Sequence, residues 1–400
     1  MTRFLVVLFA SLIAIPVFGQ KSGSEYEVPL SEKFLHQGKF AEGETASLLA
    51  LDKDAADDET RFGLGVIQVM RAVEKLGQSL YEYGAVSEKA SQPFLRIPVP
   101  RNPDPASISY QELGRVLDVF ATDLRRAEST LAAIKDDRIK LRLRLSKITF
   151  DFAGNGKDKT TLLELLVKLN GGRFGFQKAN PDFRIHFDRG DVAWLRSYCH
   201  VLSAMVEGYR SVDEKTGFSD RVKSVFPNVE PTESVRDWYG LKVVDAPRMR
   251  RMRLHLVAVC ELNRESWMHI RAEADDDFEW LPHPKQADQL GMPLTNRRID
   301  AWLSMMDQWE RLLKGESLVS GDLIRLLAID HERTLGLNFK KLLDDPPNDL
   351  FNIERIHDHG IAAKYLEEQE GKKVLDLQAI FSVLQVFDGP FGMAYAARLN

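Results

Sequence analysis

The amino-acid sequence predicts a mainly α-helical fold, with a helical hairpin or bundle architecture and a small antiparallel β ribbon. Apolar residues recur every three or four positions through most of the chain, which is the period of a helix with one buried face. In short stretches within residues 141–187 they alternate with polar residues, which is the period of a half-buried strand. With 44% hydrophobic and 28% charged residues, the chain can build a large core and a solvated surface.

The first 19 residues have the three parts of a secretory signal. Arg3 provides a positive charge, an apolar run extends from Phe4 to Ile15, and small or compact residues end at Gly19. The alternatives are an uncleaved anchor or the first core helix of a cytosolic protein, but the polar segment 20–27 does not continue an apolar face. We therefore predict cleavage after Gly19 and export to the periplasm, the cell envelope or the extracellular space. No second long apolar run follows, so no transmembrane span is expected in the mature chain.

Residues 20–90 are predicted to form a helical hairpin, in which two periodic apolar runs flank the polar stretch Asp52–Glu59 and the second run stops at Gly84. The residues that carry a repeat-like pattern are Leu30, Phe34, Gly38-Lys39-Phe40-Ala41-Glu42, Ala50-Leu51, Asp54 and Leu64-Gly65. They resemble a tetratricopeptide repeat and cover about one and a half repeats. The resemblance implies two antiparallel helices that approach closely at a small residue.

Three features depart from the repeat pattern. Gly43 and Glu44 stand where the family has a small apolar pair, Ala55 stands where proline is usual, and no third copy follows. A single helical hairpin is the alternative explanation of the same residues.

Residues 91–108 are predicted to be a proline-rich crossing segment, because five prolines between Pro93 and Pro105 remove backbone donors and restrict φ. Residues 109–400 are predicted to form a helical body with the β ribbon near 141–187. Its first helix follows Ser109, which can form a capping box with Glu112.

Within this body, Asp188–Asp191 is predicted to cap a central helix, and Pro247 to open another that runs to about Ala274. The predicted strands lie within 141–145, 148–152 and 183–187. The other predicted helices cover 160–169, 301–313, 321–327, 361–369 and 374–386.

The segment Asp151–Asp158 has part of the ligand pattern of a calcium loop. Asp151, Asn155 and Gly156 fit that pattern, but an alanine, a lysine and a leucine replace later ligands, at Ala153, Lys159 and Leu162. Glu164 comes two residues too late to close the loop. We favour a glycine turn after a strand over a calcium site.

Histidines and cysteines suggest two further sites. His357 and His359 can offer two imidazoles to a metal, but a zinc site needs more ligands, and we interpret the pair as a surface turn before a helix at Ile361. Other histidines considered as ligands are His269, His283 and His331. Cys199 adjoins His200, but neighbouring helical side chains diverge by about 100°, so they do not form a nucleophile and base pair. Cys199 and Cys260 are expected to be buried, with a disulfide as the alternative.

Four arginines lie at the start of the helix that Pro247 is predicted to open, where the helix dipole disfavours cations. They are Arg248, Arg250, Arg251 and Arg253. Either an anionic partner or pairing within the protein accounts for them, and we favour pairing with the acidic runs Asp52–Glu59 or Asp275–Glu279, or solvation. The second run, beside Trp280, is also a candidate for attracting cations.

No sequence motif identifies an activity or a cofactor: a phosphate-binding loop, an HExxH helix and a GxSxG elbow are all absent. The net charge of −5, with both signs intermixed, gives no reason to expect nucleic acid as a partner. The leading hypothesis is an exported non-enzymatic scaffold that holds another protein or peptide on its N-terminal helices. The alternative is an exported hydrolase with an acid/base or metal site assembled from dispersed His, Asp and Glu residues. A polar pocket that gathers His200, His255 or the pair His357 and His359 with carboxylates would favour the hydrolase.

Overall fold

The fold is known from a computed structural model, which describes residues 28–169, 182, 184–213, 215–234, 241–274, 279–281, 283–285, 295–326, 329 and 332–375. The predicted signal peptide lies outside these residues. In the described part of the chain α-helices predominate and short strands form small sheets, which confirms the predicted fold class. None of the described helices combines the length and the apolar character needed to cross a membrane.

The helices are α1 (Leu30–Gln37), α2 (Phe40–Leu51), α3 (Asp58–Glu82), α4 (Tyr110–Ala132), α5 (Leu162–Leu169), α6 (Arg189–Arg210), α7 (Phe218–Val222), α8 (Ala246–Ala272), α9 (Asn296–Lys314), α10 (Gly321–Leu326), α11 (Phe339–Asp344) and α12 (Ile353–His359). The strands are β1 (Leu141–Leu143), β2 (Thr149–Phe150), β3 (Thr160–Thr161), β4 (Ile185–Phe187), β5 (Ser317–Val319), β6 (Leu335–Leu337), β7 (Leu366–Glu368) and β8 (Lys373–Leu375).

The chain divides into two compact units. Unit 1 takes its described residues from Met1–Cys199, Arg221–Glu230 and Glu265–Thr295. Unit 2 takes its described residues from His200–Asp220, Pro231–Arg264 and Asn296–Asn400. The first part of α6 and the last part of α8 therefore belong to unit 1.

Glycines set the approach of the N-terminal helices of unit 1. Gly38 ends α1 in the left-handed region, with φ of 65°, so that α2 begins at Phe40. A Cβ atom at Gly43 of α2 would lie 2.6 Å from the Cβ of Phe34 in α1. A Cβ atom at Gly65 of α3 would lie 2.4 Å from a methyl group of Leu131 in α4. Because larger residues would clash, these glycines allow the helices to pack closely.

The segment that joins α3 to α4 is irregular and includes short 3₁₀ turns, as its prolines predicted. Phe94, Leu95 and Ile97 are buried there. The predicted capping box at the start of α4 is present: the Ser109 hydroxyl accepts from the Glu112 N–H, and the Glu112 carboxylate accepts from the Ser109 N–H.

Two antiparallel strand pairs in unit 1 form the predicted β ribbon. β1 pairs with β4, with Leu141 opposite Phe187, and β2 pairs with β3. Leu141, Leu143, Ile185 and Phe187 are all buried, so this ladder belongs to the core. The chain leaves β4 directly into Asp188 and α6, and this junction positions the candidate site.

Unit 2 contains a four-stranded sheet that the sequence did not predict. Its strand order is β7-β6-β5-β8, with β5 and β8 parallel and the other pairs antiparallel. The helix predicted over 361–369 is wrong, because β7 occupies Leu366–Glu368 and pairs with β6. The helix predicted over 374–386 is wrong at its start, where β8 lies, and its remainder falls outside the described residues. Pairing with residues distant in sequence overrides the local helical spacing here.

Candidate metal centre

Asp188 is held at the junction of β4 and α6 by a reciprocal cap. Its Oδ1 accepts hydrogen bonds from the N–H groups of Gly190, at 2.7 Å, and Asp191, at 3.2 Å. In return, Asp191 Oδ2 accepts from the Asp188 N–H at 3.0 Å. Such a cap satisfies the first free N–H groups of a helix and fixes the orientation of the Asp188 carboxylate.

The end of α8 is held beside this cap. A Cβ atom at Gly190 would lie 2.8 Å from Ile270, and the Ser266 hydroxyl donates to the Gly190 carbonyl at 2.8 Å. Glu273 follows the last residue of α8, so its carboxylate is brought next to Asp188.

A third carboxylate arrives from a separate segment. Glu279 forms a parallel β-bridge with His186 of β4, and the Trp280 N–H donates to the His186 carbonyl. The Trp280 ring contacts Phe187 and Trp194, with centroid distances of 5.9 and 5.5 Å. These contacts anchor the segment that carries Glu279.

Asp188, Glu273 and Glu279 form a carboxylate cluster in which one oxygen from each lies within 4.8 Å of the others. Among the described residues, this is the one set of three acidic, histidine or cysteine side chains close enough to share a cation. Asp188 and Glu279 are each 9% exposed. Both carboxylate oxygens of Glu273 are buried and accept no hydrogen bond from the described residues, although a protonated Glu273 can donate one to Asp188.

The electrostatics of the cluster disfavour three negative charges. Burial, followed by the adjoining Asp188 carboxyl and the charges of Glu279 and Asp191, raises the pKa of Glu273 to about 11. Burial, and then the charge of Asp188, also raises the pKa of Asp191 well above its usual range. Asp191 is 2% exposed, and its Oδ1 is buried without a partner among the described residues. Bound protons or a bound cation would neutralise Glu273 and Asp191.

The donor set limits which cation the cluster suits. It consists of carboxylate oxygens alone, and such ligands suit hard cations such as Ca²⁺, Mg²⁺ and Mn²⁺. Three separate carboxylates leave further coordination positions for water. Comparison of the chain with protein-family models, with curated proteins and with solved structures yields no match.

The Asp151–Asp158 loop has the geometry of a glycine turn. Gly154 and Gly156 have φ of 66° and 73°, and the Asp151 carboxylate accepts from the Gly156 N–H at 2.7 Å. The Asn155 side-chain oxygen accepts from the N–H groups of Lys157 and Asp158. Asp151 Oδ2 and Asn155 Oδ1 are therefore engaged in hydrogen bonds within the turn, whereas Asp151 Oδ1 is buried and accepts none from the described residues.

Glu74 of α3 lies beside this turn. Its raised pKa leads us to expect that the stability of the protein depends on pH. Its Oε1 accepts from the Asp151 N–H at 2.8 Å, and burial raises its pKa to about 7. Because the folded-state pKa is raised, the contribution of Glu74 to stability is fully present below pH ~4.5 and is lost as the pH rises through about 7. We expect Glu74→Gln, which keeps the acceptor but cannot ionise, to be more stable than wild type by about 1–3 kcal/mol at pH 8 and nearly equal at pH 4.5. Urea unfolding at both pH values measures this difference, and an equal difference at both would contradict it.

The exposed histidine pair and the two cysteines predicted as possible sites do not join the carboxylate cluster. His357 and His359 are exposed in the last turn of α12, not in a turn before a helix, and that prediction is wrong. His331 lies outside the described residues. Cys199 and Cys260 are buried free thiols, and burial raises the pKa of each to about 12. Thiols protonated at neutral pH are poor nucleophiles.

The four arginines of α8 pair within unit 2. Arg248 and Arg251 donate to Glu207, which is 3% exposed. Arg253 donates to Asp344 at 2.7 Å, and Arg250 forms a longer ion pair with the same carboxylate. Internal pairing is thus confirmed, but with Glu207 and Asp344, which the sequence did not identify as partners.

Sequence reasoning found only one member of the carboxylate cluster. It placed Glu279 in an acidic run able to attract cations, and it assigned Asp188 a capping role, which the structure also shows. It missed Glu273, because a single glutamate after a helix has no spacing that distinguishes it from a solvated residue.

Proposed function

We propose that this chain is an exported cation-binding protein whose metal centre consists of Asp188, Glu273 and Glu279. One observation carries the proposal: three carboxylates converge, and the two buried oxygens of Glu273 accept no hydrogen bond from the described residues. Burying a carboxylate that accepts no hydrogen bond costs about 1–3 kcal/mol, which a bound cation would offset. Export is supported by the signal-like residues 1–19.

Bound protons are the competing explanation of the same cluster. A proton on Glu273 that is shared with Asp188 removes one of the two charges, so that no cation is needed to offset it. The two explanations differ in their response to added metal, since only a cation site gains stability from it.

The test is thermal unfolding of the full-length chain after treatment with a chelator, with Ca²⁺, Mg²⁺ or Mn²⁺ added separately at pH 8. At a concentration 100 times the Kd, binding contributes about 2.7 kcal/mol. For a unit of this size we expect the melting temperature to rise by about 5–10 °C with at least one of these ions. A second chelator treatment should reverse the rise.

Calorimetric titration in two buffers of different ionisation enthalpy provides the second readout. Because the cation displaces bound protons, we expect proton release on binding. The proposal would be overturned if none of the three ions changed the melting temperature or gave a heat of binding. The proton-sharing explanation would then remain.

Two roles predicted from the sequence stand beside this proposal. A hydrolase would use the bound cation to lower the pKa of a coordinated water molecule, and the positions left open by three protein ligands are compatible with that chemistry. The protein-binding role of residues 20–90 stays a prediction.

A further inference from the structure

A second group of potential ligands lies in unit 2, separate from the carboxylate cluster. His200 of α6 and His255 of α8 meet with their Nδ1 atoms 2.7 Å apart. Their ring centroids are 5.0 Å apart, and the ring planes are inclined by 46°. Both side chains are half-buried, so they are ordered by the packing of the helices and still reachable from solvent.

In the absence of an ion, one Nδ1 donates a hydrogen bond to the other. A divalent ion can replace that hydrogen, because a neutral imidazole offers the lone pair that a borderline transition metal prefers. We propose that His200 and His255 form a two-imidazole site for a borderline divalent ion of the Cu²⁺ or Ni²⁺ class, with water in the remaining positions.

The distance between the nitrogens favours one coordination geometry. Two nitrogen ligands at about 2.0–2.1 Å from a shared ion are about 2.9 Å apart at a 90° angle and about 3.3 Å apart at a tetrahedral angle. The observed 2.7 Å is close to the first value. If the ring nitrogens face each other directly in the hydrogen bond, each nitrogen must turn by about 45° to direct its lone pair at a shared ion, which gives a cis arrangement on a square-planar or tetragonal ion. Cu²⁺ and Ni²⁺ adopt that arrangement, whereas Zn²⁺ prefers tetrahedral sites.

This site differs in chemistry from the proposed cation site of unit 1. Its ligands are nitrogens and those of the cluster are carboxylate oxygens, so Ca²⁺ should not compete for it. The inference therefore does not depend on the proposed function, and either can fail alone.

The test uses the full-length chain purified without a polyhistidine tag, titrated calorimetrically with Ni²⁺ in the presence of millimolar Ca²⁺. His200→Asn and His255→Asn each keep a polar amide near the Nδ1 position but remove the ligand. The matched control is the double variant His357→Asn/His359→Asn, which removes the exposed histidines at the end of α12. Circular dichroism verifies that each variant is folded.

We expect either single variant to weaken Ni²⁺ binding by at least about tenfold, since loss of an outer-shell partner alone costs that much. The control should bind as tightly as wild type. Electron paramagnetic resonance of the wild-type chain with one equivalent of Cu²⁺ should show two coordinating imidazoles, and this result does not depend on the folding of a variant. Unchanged affinity in both single variants, loss of binding in the control, or a spectrum with fewer than two imidazoles would each overturn the proposal.

Discussion

Replacing Glu273 with glutamine is expected to abolish the rise in melting temperature that a hard divalent cation gives the wild-type chain. The amide has no charge and only one oxygen, so the cluster keeps two of its three anionic ligands. In the absence of metal the same variant should be more stable than wild type, by about 1–3 kcal/mol at pH 8, because the Glu273 carboxyl must take up a proton on folding at that pH and the amide need not. Thermal and urea unfolding with and without cation measure both effects.

The opposite signs of these two effects identify a binding site. A gain in metal-free stability alone shows a carboxyl in an unfavourable electrostatic environment, as at Glu74, whereas the same gain together with loss of the cation response identifies a ligand. Glu42→Gln is the matched control, because Glu42 is an exposed glutamate of unit 1 in the first turn of α2. It should change neither quantity appreciably. Lower metal-free stability of Glu273→Gln together with a full cation response would place the cation elsewhere.

The sequence predicted those parts of the fold that local patterns determine. Helical spacing located α3 and α4, the pair Ser109 and Glu112 located a capping box, and alternation located β1 and β4. The strands of unit 2 are as short as β1 and β4, but β5 and β7 do not lie within a longer alternation such as those over 141–145 and 183–187. Their pairing depends on tertiary context, which the local sequence does not show.

The candidate site was less predictable than the fold. Asp188 and Glu273 are far apart in the sequence, and they meet because Gly190 allows α6 and α8 to approach closely. His200 and His255 were considered together only as members of a hypothetical pocket, and their direct contact depends on the same pair of helices. No fixed spacing in the sequence could predict either arrangement, because in each the residues are brought together by the packing of α6 against α8.

Buried carboxylates in the N-terminal helices show the same limit. Glu44, which departs from the repeat pattern, is buried and bonded by Gln68, Arg71 and Arg126. The buried Glu44 carboxylate of α2 is thus neutralised by arginines from α3 and α4. The sequence shows a glutamate among apolar helix residues, but only the structure shows which arginines pair with it.

Replacing Glu32 with alanine is expected to cost about 3–5 kcal/mol of stability, the range for breaking a buried ion pair. The Glu32 side chain is 1% exposed, and its carboxylate accepts from the backbone N–H, Nε and Nη2 of Arg144 at 3.0, 2.9 and 3.3 Å. Alanine would leave that guanidinium, itself 22% exposed, without its main partner. Urea unfolding at pH 7 measures the loss.

The stabilisation from the Glu32–Arg144 pair is expected to depend on pH. Burial alone would raise the pKa of Glu32, but the hydrogen bonds and charge of Arg144 outweigh it and hold the pKa below its usual range. Because the folded-state pKa is lowered, the stabilisation is present above pH ~4.5 and lost as the pH falls through the folded-state value. The difference between wild type and Glu32→Ala should therefore shrink in acid. Glu42→Ala, at the exposed start of the next helix, should cost less than about 1 kcal/mol at either pH, and an equal cost for both variants would contradict the role of the buried pair.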